Sequence, residues 1–255
     1  MVATKGVSEP APRAAALDRP TAMRLAETEY GRYLAMLRGL KPADWLAQTD
    51  CTEWDVRALA THVLGMAEMS ASMMENRRQT RIARRSGGVF IDALTSLQVS
   101  ERAALRPEQI IARMERVAPK AARGRRRAPG FIRRRAFPEA QEIGGRLEQW
   151  TLGYLIDIIL TRDPWMHRVD STRATGRPVE LTAGHDGVIV ADVASEWASR
   201  HGQPCTLRLT GPAGGTWARA RGSGGPVVEL DAIEFCRTIS GRAPGDGLLS
   251  QQVPF

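Results

Sequence analysis

The stretch from Arg146 to Val169, RLEQWTLGYLIDIILTRDPWMHRV, constrains this chain more than any other, because at helical spacing it is apolar over most of its circumference. A helix without a wide polar face has to be surrounded by other elements, so its expected place is the centre of a helical bundle. It does not read as a membrane span, since no apolar run in the chain approaches the roughly 18 residues that a crossing requires.

The rest of the N-terminal half supplies partners for such a helix. From Thr21 to Leu40, Met23, Ala26, Tyr30, Tyr33, Leu34 and Leu37 recur near helical spacing, with Thr21 as a candidate cap and Lys41-Pro42 as the stop. After a loop through Thr49 to Thr52, Asp55 is positioned to cap a second helix that continues past His62 and Met69. Another helix enters through Gly87-Gly88 and runs toward Arg106. A further one spans Pro107 to Ala122, with Ile110, Ile111, Met114 and Val117 on one face and Pro119 disturbing its end. The run GRRRAPGFIRRRAFP then reads as a basic connector.

Helical patterning stops at Thr175-Gly176-Arg177-Pro178, which suggests a domain boundary near residues 172–180. Beyond it the expectation is a helix over His185 to His201 and strands at Cys205 to Thr210, Thr216 to Ala220 and Val227 to Leu230. Gly-rich turns suited to hairpins separate the strands, and Asp231 caps a last helix over Ala232 to Ser240. The expected fold class is therefore α plus α+β, with a disordered leader over 1–20, a helical bundle over 21–174 and a small α+β domain over 175–255.

Bulk composition, 43% hydrophobic and 25% charged, is that of an ordinary globular protein. The Ala-, Pro- and Arg-rich first 20 residues lack the apolar core of a secretory signal. Cys51, Cys205 and Cys236 fit neither a CxxC clip nor an even disulfide framework, so a reducing cytoplasm is the expected location. Much of the +8 net charge sits in Arg77 to Arg85 and Arg123 to Arg135. With only Phe131 and Phe137 near the second cluster, a solvated basic face is favoured over a nucleic-acid surface.

Two segments carry candidate chemistry. Asp163 and His167 are four apart and share a helical face, and His62 lies on the second helix. Two imidazoles and a carboxylate are the usual protein ligands of a catalytic zinc with an open fourth position. The same residues have plainer readings. A lone His in a buried helix is commonly a hydrogen-bonded core residue, and Asp163-Pro164 is a good start for a restarted helix.

The run CTEWDVRALATHVLG from Cys51 to Gly65, together with TRDPWMHRVD from Thr161 to Asp170, resembles the mycothiol-dependent maleylpyruvate isomerase family of DinB-like proteins. The resemblance covers about residues 21–172, and the tail resembles the sterol-carrier-like domain that accompanies the bundle in that family. It implies a DinB-like four-helix bundle holding zinc, or another divalent metal, between His62, Asp163 and His167; the family pattern often has Glu where this chain has Asp163. It also implies mycothiol as a low-molecular-weight thiol cosubstrate, activated as thiolate at the metal and presented to a small-molecule electrophile.

Trp54 and Trp165 flank the candidate ligands and could wall a pocket or fill a core. Asp157 needs a partner, either a ligating His or a structural Arg or backbone group, while Arg168 and Arg237 could grip a substrate carboxylate or stay solvated. Cys51 reads as a small packing residue, Cys205 and Cys236 as structural, and His185 and His201 are assigned no role. The functional expectation is a metal-dependent enzyme that uses the thiol for isomerisation, which returns it, or S-transfer, which consumes it. The alternatives are a non-catalytic metal-containing binding or regulatory protein and, last, a nucleic-acid binder. The sequence leaves substrate and oligomeric state open.

Overall fold

The computed structural model describes residues 11–219 and 225–255. Helices α1 (Arg19–Gly39), α2 (Val56–Ala71), α5 (Pro107–Arg127) and α8 (Leu160–Thr175) form a four-helix bundle in which α2 and α1 each pack on both α5 and α8. Helices α3 (Met73–Ser86) and α4 (Phe90–Arg102) pair with each other and lie outside the bundle against α2. Among the described residues no helix is long and apolar enough to cross a membrane.

Local chemistry accounts for most helix ends. Asp55 caps α2 as expected, its Oδ1 accepting from the Ala58 N–H at 2.7 Å. The cap of α1 is Asp18 rather than Thr21, with Thr21 donating its N–H to Asp18 Oδ1 at 2.9 Å. Of the expected disordered leader, residues 1–10 lie outside the described residues. Residues 11–18 are held against the fold, Arg13 exchanging backbone hydrogen bonds with Gln149 and Thr151. Helix α3 is not among the expected helices, because it buries only Gln79 and Ala83 and its Arg77 to Arg85 stretch carries no apolar period. Ser72, extended at φ −141°, ends α2, and its hydroxyl accepts from the Glu75 N–H to start α3.

Two expectations about helix extent are corrected. Helix α5 runs through Pro119 to Arg127, because Ile110, Met114, Ala118, Ala121, Ala122 and Arg125 continue one buried stripe, and that burial overrides the proline's local cost. The central apolar helix does not begin at Arg146. Gly144 and Gly145, with φ of 57° and 76°, turn a short hairpin of β1 (Gln141–Ile143) and β2 (Arg146–Glu148). Helix α6 (Gly130–Arg133) precedes that hairpin; Thr151 then caps α7 (Leu152–Tyr154), which passes through a π-helical turn, Leu155–Ile159, into α8.

The basic segment is partly structural. Pro164 has no N–H to offer the Leu160 carbonyl, and Arg125 Nη1 donates to that oxygen at 2.8 Å. Its Nε donates to Ile156 O at 2.9 Å and its Nη2 to Thr161 Oγ1 at 2.6 Å. Arg133, also buried, pairs with Asp157, so Asp157 takes the structural role of the two considered for it. Replacing Arg125 with Met strips three buried acceptors around the π-helical turn and is expected to lower stability by roughly 3 kcal/mol. Chemical denaturation checks this, and an unchanged midpoint would refute the buttress.

The C-terminal segment places α9 (Val188–His201) and α10 (Ala232–Ile239) with a sheet of order β4-β3-β5, made from β3 (Cys205–Thr210), β4 (Gly215–Arg219) and β5 (Val227–Asp231). β3 and β4 form the expected antiparallel hairpin. β5 is not the next hairpin arm. It crosses to the other edge of β3 and runs parallel to it, passing so close at Gly225 that a Cβ there would sit 2.0 Å from the Pro204 carbonyl oxygen. The core of this segment continues into the bundle through Leu25, Trp165, Met166 and Val169.

Candidate metal centre

His62 on α2 and Asp163 and His167 on α8 converge. His62 Nε2 lies 3.2 Å and His167 Nε2 3.4 Å from Asp163 Oδ1, and one donor atom from each residue lies within 4.8 Å of the others. Tetrahedral zinc with bonds of about 2.0–2.1 Å has ligand-to-ligand edges of about 3.3 Å, so these spacings fit such an ion. Asp163 Oδ2 is buried and, among the described residues, has no hydrogen-bond partner, which suits an atom that faces a cation. The helix-restart reading of Asp163-Pro164 does not hold, because both lie inside α8.

Neither imidazole is free to rotate. His62 Nδ1 lies 2.8 Å from Gln98 Oε1, and His167 donates from Nδ1 to Asp170 Oδ2 at 3.0 Å. Asp170, fully buried, accepts from Arg242 Nε and Nη2 at 2.8 and 2.9 Å. A carboxylate behind a ligating His fixes which nitrogen faces inward, here Nε2. Arg242 comes from the loop after α10, so the C-terminal segment reaches the centre through it. Cys51 is half-buried beside this pair, its Sγ 3.7 Å from Asp170 Oδ2 and 3.8 Å from Arg242 Nη2, rather than a packing residue in a core.

Trp54 lies over the group, its ring centroid 5.4 Å from that of His62 and 6.4 Å from that of His167. Trp165 belongs to the core, stacked on Phe255 and donating to Asp186 Oδ1 at 3.0 Å. Arg168 and Arg237 are not available to a substrate: the first is buried between Glu29 and Asp186, and the second is paired with Asp50 and Glu234. His185 is buried against Glu29, 2.7 Å from its Oε2.

The local field separates the titrations. Burial alone would raise Asp163, but the neighbouring His62 and His167 outweigh it and hold the carboxyl far below its usual range. Burial alone would depress His167, but Asp163 and Asp170 outweigh it and raise the imidazole well above its ordinary 6.5. Burial, then the charges of Asp163 and Asp170, push the Tyr33 phenol up, so it stays neutral. A group with a raised folded-state pKa stabilises fully below its unfolded value and loses that contribution as pH climbs through the folded one. The thermal midpoint of metal-free protein is therefore expected to fall as pH rises above the ordinary His value of 6.5, with a shallower fall in Asp163→Asn. A flat or rising wild-type profile in chelator would refute this assignment.

Gln98, Asp170 and Arg242 were missed by sequence reading. Asp170, three residues after His167, was the one detectable signal, since a carboxylate at that spacing can reach back along the same helix face.

The comparisons agree with this architecture. A family model described as the mycothiol maleylpyruvate isomerase N-terminal domain matches residues 26–172, more than half of the chain. A crystal structure of the mycothiol-dependent maleylpyruvate isomerase is similar at 17% identity and a TM-score of 0.57, over 89% of this chain and 90% of that one. A histidine-to-alanine mutant of that isomerase gives 16% identity and 0.56 over the same shares. At such identities the likeness speaks for the fold. No curated protein matches in sequence. The match over residues 26–172 carries the assignment: this chain belongs to the mycothiol maleylpyruvate isomerase family, a family of enzymes of the isomerase type.

Proposed function

We propose that this protein catalyses a mycothiol-dependent isomerisation of a small conjugated electrophile at a zinc centre formed by His62, Asp163 and His167, in a reducing cytoplasm. The observation that carries the reading is the convergence of two Nε2 atoms on Asp163 Oδ1 beside a buried Oδ2 that lacks a partner among the described residues, in a chain of this family. Mycothiol is the thiol named for the family and for both solved relatives. The three cysteines are free, so the chain makes no demand for an oxidising compartment.

When bound, zinc supplies the charge that turns a thiol into a thiolate near neutral pH. The chain's residues set the conditions for this. His62, Asp163 and His167 would hold the ion, and their one carboxylate would leave a dication a single positive charge for a thiolate to complement. Asp170 and Arg242 hold the His167 ring, and Trp54 limits water over both imidazoles. The sulfur bonds to one end of a conjugated double bond, the carbon–carbon bond that remains rotates, and expulsion of the same sulfur restores the double bond in the other geometry. The thiol is recovered unchanged, and S-transfer would instead consume it.

Metal analysis, followed by turnover of maleylpyruvate with mycothiol, tests the reading. About one zinc per chain, turnover abolished by chelation and undiminished total mycothiol are expected. Protein that refuses added zinc, or turnover indifferent to chelation, would sink the mechanism and leave a binding protein as the reading to pursue.

A further inference from the structure

Helices α3 and α4 lie outside the four-helix bundle, yet each sends one fully buried glutamine toward His62. Gln79 and Gln98 are both 0% exposed. The amide nitrogen of Gln79 donates to Glu75 Oε1 at 2.8 Å and to the Gly65 carbonyl at 3.3 Å. An ionised carboxylate and a backbone carbonyl only accept, so the Gln79 amide has one satisfactory orientation, with Oε1 turned inward. That oxygen accepts from Gln98 Nε2 at 2.9 Å, which in turn orients Gln98 with Oε1 on His62 Nδ1 at 2.8 Å. The second Gln98 N–H faces the sulfurs of Met66 and Met69 at 3.0 and 3.3 Å. Flipping Gln98 would set two amide oxygens against each other.

We propose that Gln79 and Gln98 form a buried amide relay, started by Glu75, that holds a proton on His62 Nδ1 and so reserves Nε2 for the side of Asp163 and His167. They are positioning residues, and their effect on zinc rests on the metal reading above. Arg78 anchors the outer end, its hydrogen bonds to Glu75 drawing that carboxyl down to about 2, so the acceptor stays ionised through the neutral range. Gly65 makes the space, because a Cβ there would stand 2.6 Å from Gln98 Cγ. The relay gives α3 and α4 a role at the centre beyond packing against α2. A ligating His whose other nitrogen has no fixed partner divides its lone pair between two sites, which weakens binding.

The test uses full-length protein labelled with 15N in histidine, with and without zinc, and the variants Gln98→Met and Gln79→Met. In the wild type a slowly exchanging ring proton coupled to His62 Nδ1 is expected in both states. Zinc affinity, read by chelator competition, is expected to fall roughly 10–100-fold in Gln98→Met and by less in Gln79→Met. Zinc-free Gln98→Met is expected to show the ring proton moved from Nδ1 to Nε2, where Asp163 Oδ1 at 3.2 Å accepts it. A wild-type Nδ1 without a proton, or variants that lose thermal stability while keeping both the proton's position and zinc affinity, would overturn the relay. A wild type that takes up no zinc overturns the metal reading instead, and the zinc-free spectrum still decides the relay.

Discussion

Replacing His62, Asp163 or His167 singly with Ala is expected to take bound zinc from about one per chain to near zero and thiol-dependent turnover to background, with the helical content unchanged. Three protein ligands are the minimum for a catalytic zinc, and loss of one leaves two donors and an extra open position. The three side chains are not equivalent in cost to the fold. Removing Asp163 leaves two buried imidazoles without the carboxylate between them, whereas removing His62 frees Gln98 Oε1. Asp163→Ala should therefore lose the largest support for the raised His167 titration as well as the metal, leaving the Asp170 hydrogen bond. Elemental analysis and a pH series of thermal midpoints read both effects. A variant that keeps its zinc would show that the ion sits elsewhere. The conservative Asp163→Glu keeps the carboxylate on an arm one methylene longer and is expected to keep the metal.

Arg168→Met is expected to cost about 3–5 kcal/mol of stability, the range for breaking a buried ion pair from one side. The guanidinium donates to Glu29 Oε1 and Oε2 at 2.8 and 3.1 Å, to Asp186 Oδ1 at 2.8 Å and to the Glu180 carbonyl at 2.9 Å. Arg168, Glu29 and Asp186 are at most 2% exposed. These contacts tie α8 and α1 to the turn that opens α9, so the loss falls on the junction between the bundle and the C-terminal segment. Met fills part of the volume but leaves Glu29 with His185 alone and Asp186 with Arg32, Trp165 and the Thr182 N–H. The expected readout is a lowered denaturation midpoint with an unchanged KM in the molecules that remain folded. A stable variant with a raised KM would return Arg168 to the substrate-binding role considered from sequence.

Local rules reach one helical turn or one hairpin: Asp55 as the cap of α2, the shared face of Asp163 and His167, the antiparallel pairing of β3 with β4 and the Asp231 cap of α10 were all legible within a few residues. The fold class and the family followed from such segments and from two short runs around His62 and His167. Local rules misled where they were outvoted. A helix disturbed at Pro119 and closing at Ala122 was expected, but the buried stripe of α5 continues to Arg125; Gly144-Gly145 made a hairpin where helical spacing alone suggested a helix from Arg146.

Tertiary structure alone decided which charges are buried and what they touch. Nothing near Arg125 in sequence says that it serves carbonyls 31 and 35 residues away, and nothing near Asp170 foretells Arg242 across 72. Gln98 lies 36 residues from His62 on a helix whose own pattern gives no sign of it. By itself the sequence determined the helical and strand periods, most caps and the paired donors on α8, because these depend on neighbours within one turn. The structure decided which donors meet, which arginines are spent on the fold and what holds each imidazole, because a buried polar group is stable only with partners that packing brings from distant parts of the chain.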